Sequence, residues 1–154
     1  MCEFISTARA PDKHGPQAIG RSRGGLSTQI HASVDILGNP VGFHLTPGQS
    51  RNLDGADVLL PQTAANTIIA DKGDDVDQRV LEALAEAGKT ALIAPKRPRV
   101  GPREDDRDLY QTRHLIDNFF QKLQQSRAFA TRYDNTARNF LAAIYLASTI
   151  IWLN

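Results

Sequence analysis

One cysteine, Cys2, is all the chain has in its 154 residues. That excludes a disulfide framework, a cysteine-based zinc site and a dithiol redox pair, and it makes a reducing cytoplasm the expected compartment. Charge of one sign is also lacking. Lys and Arg number 18 against 17 Asp and Glu, a net charge of +1, so any attraction for a polyanion has to be local. Residues Met1 to Ala10 lack the basic head and apolar stretch of a signal peptide. The longest apolar run, Phe140 to Leu153, is broken by Ser148 and Thr149 and falls short of the roughly 20 residues that span a bilayer. No membrane partner is expected, and the run reads as a buried core helix.

At 41% hydrophobic and 23% charged, the composition is that of an ordinary globular protein, and the length is that of one domain. Residues 1–16 show no periodicity and contain Pro11, Gly15 and Pro16, which predicts an irregular N-terminal segment. The folded domain is expected over 17–154. Gly20 to Gly25 reads as a flexible basic turn. Leu26 to Val34 then alternates, with Leu26, Thr28, Ile30, Ala32 and Val34 on one face and Ser27, Gln29, His31 and Ser33 on the other, the pattern of a half-buried strand. Asp35 to Pro40 supplies turn chemistry, and Val41 to Thr46 completes a β-hairpin.

A short helix is expected from Asp54 to Leu60, stopped near Pro61. Thr67 to Asp71 reads as a buried strand ending in an acid. Val76, Val80, Leu81, Leu84 and Ala87 then fall at helical spacing, with Gly88 where a C-cap needs a left-handed residue. Thr90 to Ala94 is the next buried strand, and Pro95 to Arg103 is a solvated loop carrying Lys96, Arg97, Arg99 and Arg103. Two helices close the chain. The first runs from Leu109 to Ala128, with Leu115 or Ile116, Phe119, Phe120 and Leu123 inward and Arg113, His114, Asp117, Gln121 and Gln124 outward. The second runs from Thr136 to Trp152.

Asp71, at the carboxyl end of a strand, is either a helix cap or a metal ligand. Asp117 is either that ligand's partner or half of a surface pair with Arg113. Carboxylates that met across the intervening strand-helix-strand passage would suit Mg²⁺, a hard cation taking oxygen ligands. Arg21 and Arg23, beside glycines that admit a close backbone approach, and the four cations of residues 96–103 are either solvated or phosphate contacts. His31 and His44 read as satisfied sheet residues.

Several stretches together closely resemble the catalytic domain of bacterial insertion-sequence transposases of the DDE type. They are Gly20-Arg21-Ser22-Arg23-Gly24-Gly25-Leu26-Ser27-Thr28-Gln29-Ile30-His31, Leu45-Thr46-Pro47-Gly48-Gln49, Ala70-Asp71-Lys72-Gly73, Arg113 to Phe120, and Thr131-Arg132-Tyr133-Asp134. The resemblance covers about residues 17–154. It implies an α/β fold of the ribonuclease-H-like kind, a mixed sheet flanked by helices. It also implies cleavage and joining of double-stranded DNA, at transposon ends and target, with Mg²⁺ or Mn²⁺, and contact with other transposase subunits. Asp71 corresponds to the second acid of the family's triad, and Asp117 stands where the third would be.

Tyr110, Arg113, Asp117 and Gln124 match the family's tyrosine-arginine-glutamate-lysine spacing of two, three and six intervening residues. The last two positions depart from it: Asp117 replaces Glu, and Gln124 replaces a Lys that would hold a phosphate. The family's first acid belongs to the first strand in an Asp-Ser-Thr context, and here Ile5 precedes Ser6-Thr7. The first strand is therefore expected to be incomplete or missing, and the chain looks like an N-terminally truncated transposase, inactive alone. The alternative is a non-catalytic remnant that binds DNA or joins intact subunits.

Overall fold

The computed structural model describes residues 2–7, 17–23, 25–70, 82, 84–93, 104–125, 131–133 and 136–153. In chain order the strands are β1 Cys2–Thr7, β2 Gly20–Ser22, β3 Gly25–Val34, β4 Pro40–Pro47, β5 Thr67–Ala70, β6 Thr90–Ile93 and β7 Thr131–Arg132. The helices are α1 Asn52–Gln62, α2 Glu104–Gln125 and α3 Ala137–Leu153. Together they make a mixed α/β fold, a mainly antiparallel five-stranded sheet flanked by helices, with β5 and β6 paired parallel to one another.

Everything in the large sheet is built on β3. Along one edge it pairs antiparallel with β1, from Cys2 opposite His31 to Ser6 opposite Ser27. Along the other edge it pairs with β2 and then with β4. β7 continues the sheet beyond β1, parallel to it, with Ser6 opposite Thr131 and Thr7 opposite Arg132. The first strand is thus present within a segment expected to be irregular. Its cause is non-local: the breakers that dominate residues 1–16 all lie beyond Thr7, and the strand satisfies backbone groups of β3 that would otherwise be orphaned.

β3 is buried from Ser27 through Ala32 on both faces, rather than half-buried. On one face Ile30, Ala32 and Phe43 meet Phe119, Phe120 and Leu123 of α2 and Phe140 and Ile144 of α3. The Phe43 ring lies 5.7 Å from Phe119 and 5.1 Å, edge-on, from Tyr145. The opposite face carries Gln29, His31 and Thr46, all of them buried; Gln29 and His31 fall on the polar side of the alternating pattern, but α1 packs against His31. The backbone of α1 comes so close that a Cβ on Gly55 would fall 2.1 Å from His31 Cγ.

The β3–β4 turn forms as its residues require. The Asp35 carboxylate accepts from the Leu37 and Asn39 amides at 2.9 and 2.8 Å, and Gly38 takes φ +86°. α1 extends beyond the expected Asp54 to Leu60 at both ends. Asp54 reaches back to the Arg51 amide at 3.1 Å, which satisfies one free donor at the helix start. Pro61 is accommodated in the last turn, and Lys89 Nζ donates to the carbonyls of Leu60 and Thr63 there. A cation at a helix carboxyl end is favoured by the dipole as well as by the bonds.

The helix preceding β6 ends as expected at Gly88. Its φ is +67°, its amide donates to Ala85 O, and the Lys89 amide donates to Leu84 O, the two bonds of a Schellman stop. α2, Glu104–Gln125, begins ahead of the expected Leu109, and the expected last residues, 126–128, lie outside the described residues. α3 begins after Thr136, whose Oγ1 accepts from the Asn139 amide at 3.3 Å. It is not a buried core helix. Phe140, Ile144 and Ser148 are buried, whereas Leu146, Trp152 and Leu153 are more than 60% exposed. None of the described helices is long and apolar enough to cross a membrane.

Candidate functional site

At the end of β3 nearest its first residues, the separate sequence motifs meet. Ser27 is opposite Gly20 on one side and Ser6 on the other, so β2 adjoins the carboxyl end of β1 across one strand. Ser27 Oγ donates to Ser22 Oγ at 2.9 Å, and Ser22 Oγ to Gly25 O at 3.2 Å. Gly25 takes φ +105°. The segment expected as a flexible turn is therefore a paired hairpin, and it holds the exposed side chains of Arg21 and Arg23 on a fixed base.

The Pro47-Gly48-Gln49 turn closes over this hairpin. The Gly48 amide donates to Ser27 O at 3.0 Å, and a Cβ on Gly48 would lie 1.9 Å from Ser27 Oγ. A Cβ on Gly20 would lie 1.5 Å from Gln49 Oε1. At Gly48 the crowding includes the Ser27 backbone, so a side chain there would force the strand to shift, whereas at Gly20 only the end of the Gln49 side chain would have to move. These contacts explain why two motifs far apart in sequence form one unit.

On the far side of β1, Arg132 is fully buried. Its Nη1 donates to Gln17 O at 2.8 Å and to Thr28 Oγ1 at 2.7 Å, and its guanidinium stacks 5.0 Å over the Phe140 ring. Thr28 Oγ1 in turn donates to Ala18 O at 2.7 Å, and Ala18 is held at φ +52°. Gln17 Oε1 accepts from the Ala137 amide at 2.9 Å, one of the free donors at the start of α3. One side chain thereby locks β7, β3, the 17–18 segment and α3 around the end of β1.

α2 bears the proposed third acid. Asp117 is half-buried, on the flank between the core residues and solvent rather than fully outward. By helical geometry positions 110, 113, 117 and 124 fall on one stripe of α2. Gln121 and Gln124 are exposed, as expected. The side chains of Tyr110 and Arg113 lie outside the described residues, as do Asp71 and all of Lys96, Arg97, Arg99 and Arg103. The expected convergence of Asp71 and Asp117 therefore rests on residues outside the description. Among the described residues, no group of three His, Cys, Asp or Glu side chains is placed to hold a metal ion. A groove of about 320 Å³ lies on the other flank of α2, between Leu37, Leu115, Asn118, Lys122 and Ile151. Asp117 does not line it.

His31 behaves as a satisfied sheet residue. His31 Nε2 lies 2.8 Å from Thr46 Oγ1 in a buried contact, with the His44 ring 6.2 Å away. Burial first, and His44 second, push the His31 imidazole down from 6.5 to about 4, so it is neutral near pH 7. Arg132, Gln17, Gly48 and Gly55 carry contacts that sequence reasoning did not assign. Only Arg132 and Gly48 stood within a quoted motif, and nothing in the pattern signals burial of an arginine.

The sequence is 33% identical over 129 residues to a protein of Brucella ovis (strain ATCC 25840 / 63/290 / NCTC 10512). That protein carries a provisional assignment as the transposase for insertion sequence element IS6501. The match covers 83% of this chain and 99% of that protein. No family model matches the sequence. No solved structure matches it.

Proposed function

The chain belongs to the insertion-sequence transposases, and we propose that it is a DDE-type scaffold of ribonuclease-H-like kind that binds DNA but does not cut it alone. Asp71 and Asp117 are its two acids in this reading. The observation that carries it is β1: the strand exists, is paired on both edges, and reads Ile5-Ser6-Thr7 where the resemblance to the DDE type implies an acid before Ser-Thr. An isoleucine offers no oxygen to a hard cation.

When bound, paired Mg²⁺ or Mn²⁺ ions stabilise the attacking and leaving oxygens of an in-line displacement. Among the described residues no three such side chains complete the donor set for such a pair, and this reading derives no cleavage step. What they can do is hold double-stranded DNA. Arg21 and Arg23 project from a braced hairpin beside the end of β1. Lys96, Arg97, Arg99, Arg103, Tyr110 and Arg113 are the further proposed contacts, with transposon ends and target as the DNA and the cytoplasm as the compartment. Gln124 can give a hydrogen bond to a phosphate but no charge.

The test is nicking of a plasmid carrying the element's ends, in Mg²⁺ or Mn²⁺. The unmodified chain should leave it intact. Ile5→Asp combined with Asp117→Glu and Gln124→Lys should nick it, and Asp71→Ala in that background should abolish the activity. Calorimetric titration of Mn²⁺ into the same variants gives a second readout, with binding gained in the triple variant and lost with Asp71→Ala. Nicking by the unmodified chain that depends on Asp71 would overturn the proposal, and so would a folded triple variant that neither binds Mn²⁺ nor nicks.

A further inference from the structure

Of the large hydrophobic side chains left in solvent, five lie on α3: Tyr145, Leu146, Ile150, Trp152 and Leu153. They surround a seam of exposed residues spaced four, three and four apart, Ala142, Leu146, Thr149 and Leu153. At 3.6 residues per turn that seam lies opposite the buried side chains of Phe140, Ile144 and Ser148. We propose that this face is the docking surface for a second copy of the chain, α3 against α3, antiparallel about a twofold axis. The inference is independent of the DNA chemistry proposed above.

The spacing is that of a helix-pairing seam, in which side chains of one helix enter gaps on the other. In an antiparallel pair with its axis between positions 147 and 148, Ala142 faces the partner copy's residue 153 and Leu146 faces residue 149. Every layer then sets a leucine against a small or short side chain, so volumes match. A parallel pair would set leucine on leucine and alanine on alanine, leaving voids that cost stability. Antiparallel packing also opposes the helix dipoles.

Charge decides between kinds of partner. From Asn139 to Leu153 the helix has no ionisable side chain except Tyr145. A charged protein face would bury ions here without a counterpart, and a nucleic acid would find no cation. Burial of Thr149 leaves no unsatisfied hydroxyl in the seam, because its Oγ1 already donates to Tyr145 O at 2.9 Å. Aromatic side chains of this size expose on the order of 150–250 Å² each. Leu146 at 66%, Trp152 at 62% and Leu153 at 72% exposure, with Tyr145 and Ile150, therefore offer several hundred Å² per copy. A standard interface takes about 800 Å² from each partner.

The test is sedimentation equilibrium of the full chain from 1 to 100 µM, with circular dichroism to confirm folding. The chain should be dimeric, and Leu146→Glu with Leu153→Lys should weaken association at least thirtyfold with unchanged helicity, since both positions are exposed. In a Cys2→Ser background, an Ala142→Cys chain mixed with a Leu153→Cys chain should form a mixed disulfide on mild oxidation, while Ala142→Cys alone should not self-link. A monomer at 100 µM overturns the proposal, whether the face is bare or covered by another segment of the same chain. So does a dimer indifferent to the charged variants, and self-linking of Ala142→Cys alone overturns the antiparallel register.

Discussion

Arg132 Nη1 donates to Thr28 Oγ1 at 2.7 Å, joining residues 104 positions apart inside the protein. The same nitrogen reaches Gln17 O, and the guanidinium covers Phe140. Arg132→Met should therefore destabilise the fold by about 3 kcal/mol, because the polar partners stay buried after their donor is removed. Arg132→Lys should recover only part of this, since an ammonium can still donate to the oxygens but lacks the planar guanidinium that covers the Phe140 ring. Urea unfolding with an unchanged slope measures it, and a loss below about 1 kcal/mol would show that the clamp is dispensable.

Local chemistry made the β3–β4 hairpin legible, because Asp35 and Gly38 specify their turn, and Gly88 announced its helix stop. Phe119, Phe120 and Leu123 announced the inner face of α2. What sequence hid was set by distant partners. β1 exists because β3 has an open edge, which no residue of Cys2–Thr7 reveals. Gln29 and His31 fall on the polar side of the pattern, yet both are buried, His31 against α1. α3 is apolar all round, so its pattern could not show that only one side is buried. For the site, Asp117 and the arginines of β2 were readable as residue types in motif context, but the bracing of that hairpin by Gly48 and Gln49 was not. Asp71, the acid on which the reading leaned most, lies outside the described residues.

Gly55→Ala provides a test in which two effects have opposite signs. In an exposed helix the change should stabilise by about 1 kcal/mol. Here the new Cβ would sit 2.1 Å from both Cγ and Nδ1 of His31, so a net loss of about 2 kcal/mol is expected from overpacking. His31→Ala should relieve the clash, and a double-mutant cycle should show coupling above about 1 kcal/mol. Additive effects would mean that α1 does not rest on His31.

His31 also sets a pH dependence whose sign is fixed by its environment. The folded pKa is about 4 against 6.5 when unfolded, so between those values the unfolded chain binds more protons. Its contribution is complete above pH 6.5 and is lost as pH falls through 4. After a discount for solvent screening the loss should be about 2 kcal/mol. Chemical denaturation from pH 7 to 5 isolates the upper part of that window from most carboxylate titrations. His31→Gln should flatten the slope there, and an unchanged slope would assign it to other groups.

The paired hairpin of β2 makes the proposed contribution of its arginines to DNA binding quantitative. Flexible cations lose side-chain and backbone freedom on contact, whereas Arg21 and Arg23 extend from a backbone already fixed by Ser27, Ser22 and Gly48. Each phosphate neutralised releases counterions and contributes about −0.9 to the slope of log affinity against log salt. Because the net charge is only +1, this slope reports contacts rather than a general field. Arg21→Ala with Arg23→Ala should reduce its magnitude by about 1.8 and weaken binding roughly tenfold at 0.1 M salt. The fold should be untouched, since both side chains are exposed. Lys substitutions at both positions should restore the slope, because screening counts charge, and recover only part of the affinity, because they lose bidentate geometry. Fluorescence anisotropy on a short duplex over a salt series separates the two effects. If the alanine variant keeps both slope and affinity, the hairpin is merely solvated, and phosphate contact must be sought on residues 96–103 instead.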